Sequence, residues 1–228
     1  MDNTHKDYFF NDKVVLPFDK VIAWQKAIYM KLGMSEHDAS IVADHLVVAD
    51  ARGVYSHGIM RTPIYAKRME CGGTSATAQP EIIKQFGATA LVDAHNAMGQ
   101  VAGVYAMDHA IELAKQYGTS AVSVTGSNHL GTCAYYAQRA SKQGMIGICW
   151  TINGGNNMAP WGGSVPQLGN NPYAMAAPCF SKPDVVMDMA TSVVARGKIV
   201  MARKTHAKIP ETWALDKDGN PTTDPEAA

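Results

Sequence analysis

The sequence predicts an α/β fold with a helical N-terminal region, and three observations carry that prediction. The first eighty residues hold apolar stripes at helical spacing. From about residue 82 the pattern becomes strand, helix, strand, helix, strand, the order expected of a mixed sheet with crossover helices. No G-x-G occurs anywhere in the 228 residues, so the glycine fingerprint of the usual dinucleotide-binding fold is missing.

Residues 18–32 read as an amphipathic helix with Val21, Trp24, Ile28 and Leu32 on one stripe and Gly33 as its stop. Ser35 is placed to cap a second helix, with Asp38 as its capping-box partner. The apolar face of that helix is Ile41, Val42, Leu46 and Ala49, and it stops at Gly53. His45 falls on the same face, which marks it as a hydrogen-bonded core histidine rather than a ligand. Pro63 suits the first turn of a third helix that carries Tyr65 and Met69 and ends at Gly72-Gly73. Residues 88–94 then read as a strand, and residues 98–117 as a helix buried through Val101, Val104, Ile111 and Ala114, with Gly118 as its stop. A strand over 121–125, a helix over 132–142 and a strand over 145–151 follow. Residues 153–172 are too rich in Gly, Asn and Pro for a regular element. A last strand at 185–187 leads into a helix near 191–203. The expected organisation is a helical region, residues 1–80, with substrate-binding side chains, and an α/β region, residues 81–228, for a cofactor.

Composition narrows the function. Hydrophobic residues at 46% and charged residues at 18% place the chain among soluble globular proteins rather than disordered ones. The formal net charge is zero, so no nucleic-acid partner is expected. The densest basic run, Arg196, Lys198, Arg203, Lys204, His206 and Lys208, reads as a solvated helix face or a neighbour of a cofactor phosphate. Cys71, Cys133, Cys149 and Cys179 are far apart with no C-x-x-C pair, which argues against a zinc knuckle or a disulfide framework and suits a reducing cytosol. The first thirteen residues lack the apolar core of a secretory leader, and no segment reaches the roughly 18 apolar residues of a membrane span. A cytoplasmic protein without a membrane partner is expected.

Chemistry is concentrated in the run Asp50-Ala51-Arg52-Gly53-Val54-Tyr55-Ser56-His57-Gly58, followed by Arg61 and Tyr65. A second histidine, in Ser127-Asn128-His129-Leu130-Gly131, lies in the loop between a strand and a helix, where crossover sheets collect ligands. Histidine titrates near ~6.5, so His57 and His129 are candidates for proton transfer at neutral pH. Arg61 can grip a carboxylate with two parallel donors. The structural alternatives are an Arg61–Asp50 ion pair, a loop histidine that only braces its loop, and a Tyr65 that only packs. Walker, H-E-x-x-H and G-x-S-x-G motifs are all absent. The stretches Asn153-Gly154-Gly155-Asn156-Asn157 and Gly169-Asn170-Asn171-Pro172 let a ligand approach the backbone and offer amide donors and acceptors, as the groups of a nicotinamide dinucleotide require. A plain glycine-rich connection has the same composition.

On these residues the sequence resembles the malate/L-lactate dehydrogenase family, which includes ureidoglycolate and sulfolactate dehydrogenases and diketogulonate reductases. The matching stretches are DARGVYSHGIMR, NAMGQVAG, SNHLGTCAYYAQRA, APWGG, LGNNP, MDMATS and IPETWALDKDGNPTTDP, in family order. The resemblance implies a homodimeric NAD- or NADP-dependent oxidoreductase with a non-Rossmann, mixed-sheet cofactor domain and no metal. It gives His57 and His129 the acid–base and polarising roles, with members differing over which one moves the proton. It makes Arg61, Tyr65 and Ser56 substrate-binding, and it places Asn153, Asn170, Asn171, Pro172, Asp188, Met189 and Ala190 along the cofactor. Asn170 stands where the family has threonine. Family chains are also roughly half as long again, so a C-terminal truncation is expected. The expected reaction is hydride transfer at C2 of a small 2-hydroxy or 2-keto acid. The alternative is a truncated relative that binds a small acid or cofactor without turnover, and a metal-dependent lyase is a third reading.

Overall fold

The computed structural model describes residues 14–228. The expectation about a secretory leader falls on the thirteen residues before them and so lies outside the described residues.

Three helices open the fold: α1 (Phe18–Lys31), α2 (Glu36–Ala51) and α3 (Thr62–Glu70). Two short 3-10 turns, Tyr55–His57 and Ile59–Arg61, link α2 to α3. The α2 cap forms as expected: Ser35 Oγ accepts from the Asp38 backbone N–H at 3.1 Å, and the Ser35 hydroxyl donates to the Asp38 carboxylate at 2.8 Å. Pro63 stands in the first turn of α3, where a missing N–H costs nothing. On α1 the buried stripe is not the expected one. Trp24 is 58% exposed, whereas Gln25 and Tyr29 are buried. A polar contact decides this rotation, because the Thr62 hydroxyl donates to Gln25 Oε1 at 2.7 Å inside the protein. Tyr29 joins Val42, Leu46, Tyr65, Met98 and Val101 in the core.

The first sheet has the order β1 (Glu81–Phe86), β2 (Thr89–Asp93), β3 (Ala121–Thr125). β1 and β2 pair antiparallel, while β2 and β3 pair parallel. Parallel neighbours need a crossover, and α4 (Gly99–Tyr117) supplies it. Gly118 ends α4 in the left-handed conformation, φ 82°. α5 (Ala134–Ser141) leads to a second sheet, β4 (Gly147–Trp150), β5 (Tyr173–Ala177) and β6 (Val185–Met189), in that order. α6 (Arg196–Thr205) follows. β1 and β5 went unread in the sequence. β1 is exposed at most positions, so it lacks the apolar alternation that marks a half-buried strand. The expected run of crossovers also splits: β3 and β4 lie in different sheets, while β2–α4–β3 is a parallel crossover.

The chain forms two compact units. The larger takes in Leu16–Cys149 and Ala174–Asp188. In it, Cys133, Ala134 and Ala137 pack against Ala174 and Ala176, with Leu130, Cys149 and Val186 alongside. The smaller takes in Trp150–Tyr173 and Met189–Ala228. Its buried side chains include Val194, Ala202 and Ile209, and the Trp150 and Tyr173 rings stack within it. Among the described residues no helix is long and apolar enough to cross a membrane.

The Ser35 cap gives the fold its simplest test. Ser35→Ala should cost about 1 kcal/mol of stability, read from the denaturation midpoint in urea; an unchanged midpoint would mean that water satisfies the first turn of α2 equally well.

Candidate active site

The first half of the site is a tight turn. Asp50, in the last turn of α2, accepts from the Ile59 backbone N–H at 2.9 Å and so closes residues 51–58 into a loop. The structural alternative, an ion pair between Asp50 and Arg61, does not form among the described residues. Arg61 instead donates from Nε to the Ser56 carbonyl at 2.5 Å. Among the described residues no hydrogen bond or ion pair engages its terminal Nη1 and Nη2, so the forked end of the guanidinium is available. Ser56 Oγ lies 2.9 Å from His57 Nδ1, which leaves Nε2 as the free nitrogen of that ring.

The second half is the loop after β3. Asn128 fixes its start: Nδ2 donates to the Asn96 carbonyl at 3.1 Å, to Asn96 Oδ1 at 2.9 Å and to the Ala97 carbonyl at 3.0 Å. Its Oδ1 accepts from Arg68 Nη2 at 2.8 Å. The loop passes so close to the start of α4 that a Cβ on Gly99 would sit 2.4 Å from the Asn128 and His129 carbonyl oxygens. Further on, Tyr136 donates to the Leu130 carbonyl, and Thr132 meets the ring of His45.

These halves meet through side chains distant in sequence. The His57 and His129 rings stack with centroids 5.4 Å apart. The Tyr65 hydroxyl lies 2.6 Å from His129 Nδ1 and accepts from Gln100 Nε2 at 3.3 Å. Burial raises the Tyr65 hydroxyl above its usual range, so it stays protonated. With Gln100 donating to it, the phenol proton is directed at His129 Nδ1, and the neutral ring then carries its own proton on Nε2. Loss of water pushes His57 down to about 4, helped by the nearby Arg61 charge. The same causes lower His129, loss of water first and then the charges of His57 and Arg61. More than a third of the His129 surface is still open to solvent. Both imidazoles are neutral at pH 7.

The structure therefore gathers Ser56, His57, Arg61, Tyr65 and His129 in the larger unit. The remaining candidates are spread differently. Asp188, in the larger unit, accepts from the Ala134 backbone N–H at 2.8 Å and caps the first turn of α5. Met189 and Ala190 belong to the smaller unit, and Met189 is exposed. There Asn153 Nδ2 donates to Asn170 Oδ1 at 2.8 Å, the Asn153 N–H donates to Asn171 Oδ1 at 3.0 Å, and the Pro172 carbonyl accepts from the Thr151 N–H. In the same loop Asn157 Oδ1 is buried with no partner among the described residues. Sequence reasoning named Asn128 and Asn157 only within longer stretches and gave Gln100 no role. Gln100 carried one usable signal, a polar residue inside the buried stripe of α4.

Residues 16–228 match the family described as malate/L-lactate dehydrogenase. The chain is 42% identical over 218 residues to a malate dehydrogenase of Pyrococcus horikoshii, covering 96% of this chain and 60% of that protein. It is 41% identical to a ureidoglycolate dehydrogenase (NAD(+)) of Escherichia coli, covering 86% of this chain and 56% of that one. The crystal structure of malate dehydrogenase from Entamoeba histolytica superimposes with a TM-score of 0.90 at 33% identity, over 94% of this chain and 60% of that one. The chain thus spans about 60% of the length of the relatives it matches.

The lowered histidines set a pH dependence of stability. His45 is also pushed down to about 4 by burial. A folded value of about 4 for His45 and His57 against about 6.5 in the unfolded chain means that unfolding takes up protons between those limits. Stability should therefore rise with pH across that window and level off above it. We expect Tm to fall by roughly 5–10 °C between pH 7 and pH 5, measured by calorimetry; a flat profile would mean that these rings are hydrated in the folded protein.

Proposed function

Because the chain belongs to the malate/L-lactate dehydrogenase family, we propose that it moves a hydride reversibly between NAD or NADP and C2 of a small 2-hydroxy or 2-keto acid. One observation carries this reading. Among the described residues, an arginine with an unengaged fork stands beside two neutral imidazoles, each with one ring nitrogen committed and the other free. That set matches an anion with an oxygen on its α-carbon.

Arg61 would hold the substrate carboxylate by its two terminal nitrogens and so fix the position of C2. Ser56 and Tyr65 hold the two histidine rings, and Tyr65 lines the pocket. In oxidation the C2 hydroxyl gives its proton to one imidazole nitrogen as the C2 hydrogen departs with its electron pair. In reduction the same nitrogen returns the proton to the carbonyl oxygen. The second histidine donates to that oxygen as charge develops on it. Both histidines are candidates for the two roles, but with its proton on Nε2 the neutral His129 is the donor to the substrate oxygen, which leaves His57 Nε2 as the nitrogen that exchanges the proton. Binding of the acid supports the proton step further: a carboxylate against Arg61 offsets the positive charge that helps lower both rings, so their proton affinity rises once substrate is present.

A nicotinamide cofactor, when bound, supplies or accepts the hydride. Asn153, Asn170, Asn171 and Pro172, with Asp188, Met189 and Ala190, are assigned to it. The buried Asn157 Oδ1 supports the assignment, because it lacks a hydrogen-bond donor among the described residues and a nicotinamide dinucleotide carries several. In this reading residues 1–80 supply substrate-binding side chains and residues 81–228 the cofactor region. A homodimer in the cytoplasm completes the proposal; four free cysteines fit a reducing compartment.

The first test is NADH or NADPH oxidation, followed by absorbance, with oxaloacetate, pyruvate and a ureidoglycolate-type keto acid. Cofactor binding without turnover of any acid would sink the proposal and leave a binding protein. Arg61→Lys should raise the apparent KM for the acid roughly tenfold through loss of the planar fork, with kcat less affected. His129→Ala should lower kcat by ~10²-fold or more, with a wild-type circular dichroism spectrum; retained turnover would reduce that ring to a loop brace.

A further inference from the structure

We infer that His45 is a positioning residue for His129, acting through the loop Leu130–Gly131–Thr132. The sequence marks His45 as a core histidine, and it is indeed fully buried on α2. Its contacts give that burial a purpose. The Thr132 backbone N–H lies 3.2 Å from His45 Nε2, and the Thr132 carbonyl and hydroxyl both lie 3.3 Å from the same nitrogen. Among the described residues, all the polar contacts of this ring thus go to a single residue of the loop that carries His129. Its other nitrogen, Nδ1, is buried with no partner among the described residues. The Tyr135 and Tyr136 rings flank it, with centroids 4.7 Å and 5.8 Å away.

Gly131 shows how closely the loop is pressed on this ring. Its φ of +81° is a left-handed conformation, and a Cβ there would lie 2.1 Å from His45 Cε1. The backbone of the loop rests on the imidazole face. Asn128 pins the loop before His129, and His45 pins it after, so the backbone of His129 is held from both sides. Only then does the ring of His129 reach Tyr65 at 2.6 Å and lie over His57. A shift of the loop by about 1 Å would break that bond and misplace the free nitrogen, at a cost of up to ~10²-fold in rate.

The inference rests on the proposed role of His129, so its test carries one readout independent of turnover. His45→Phe keeps a ring under Gly131 but removes the nitrogen, and His45→Gln keeps an acceptor that can reach Thr132. We expect His45→Phe to lower kcat about tenfold, with KM for the acid and cofactor within about twofold, and to shift the His129 ring signals in ¹⁵N NMR. His45→Gln should recover most of the rate and return those signals toward their wild-type positions. A folded His45→Phe variant with wild-type kcat and unmoved His129 signals would overturn the inference. Should that variant not fold, Gly131→Ala disturbs the same contact from the loop side and is read in the same way. Collapse of both variants would assign His45 to stability alone and overturn it too. A wild-type protein without turnover would sink the dehydrogenase reading, while the His129 signals would still decide the role of His45.

Discussion

The hydrogen bond between Tyr65 and His129 is the contact on which the site depends. It joins α3 to the loop after β3 across 64 positions of sequence, at 2.6 Å. Burial keeps the phenol protonated, and Gln100 occupies one of its lone pairs, so the phenol donates to Nδ1. One short bond therefore sets both where the imidazole sits and which nitrogen it presents. Arg61 and Ser56 brace the opposite ring in a similar way, through the peptide backbone and a hydroxyl.

Holding these groups requires backbone in places where side chains do not fit. α4 begins against the His129 loop at Gly99, and the same loop lies on the His45 ring at Gly131. Each contact replaces a side chain with direct backbone approach. The parallel β2–β3 pair provides the frame, since it delivers the loop at the carboxyl end of β3 beside the start of its own crossover helix. Arg68, Asn128 and Asn96 form one chain of bonds, whereas Gln100 Oε1 and His45 Nδ1 are buried without a partner among the described residues.

Electrostatics follows from the same packing. Loss of water lowers all three imidazoles, His45, His57 and His129, and the Arg61 charge adds to the shift of His57 and His129. A positive charge left among neutral rings is a receptor for an anion. In the proposed reaction a substrate carboxylate would meet that charge.

By itself the sequence determined the helices α2, α3 and α4, whose caps and stripes are local and repeat at short spacing. It also placed His57, Arg61 and His129 among the functional candidates, because unusual polar residues between glycines stand out from a pattern. It could not show the pairing of Asp50 with the Ile59 N–H, which leaves the terminal nitrogens of Arg61 unengaged among the described residues. Nor could it show the partner of Gln25, which turned α1 so that Trp24 faces outward. β1 and β5 were equally hidden, since a strand with little apolar alternation is defined by its neighbours. The tertiary structure alone decided that His45, Gln100 and Asn128 support His129. Their roles depend on distances between residues far apart in the chain, and local pattern carries no record of such distances.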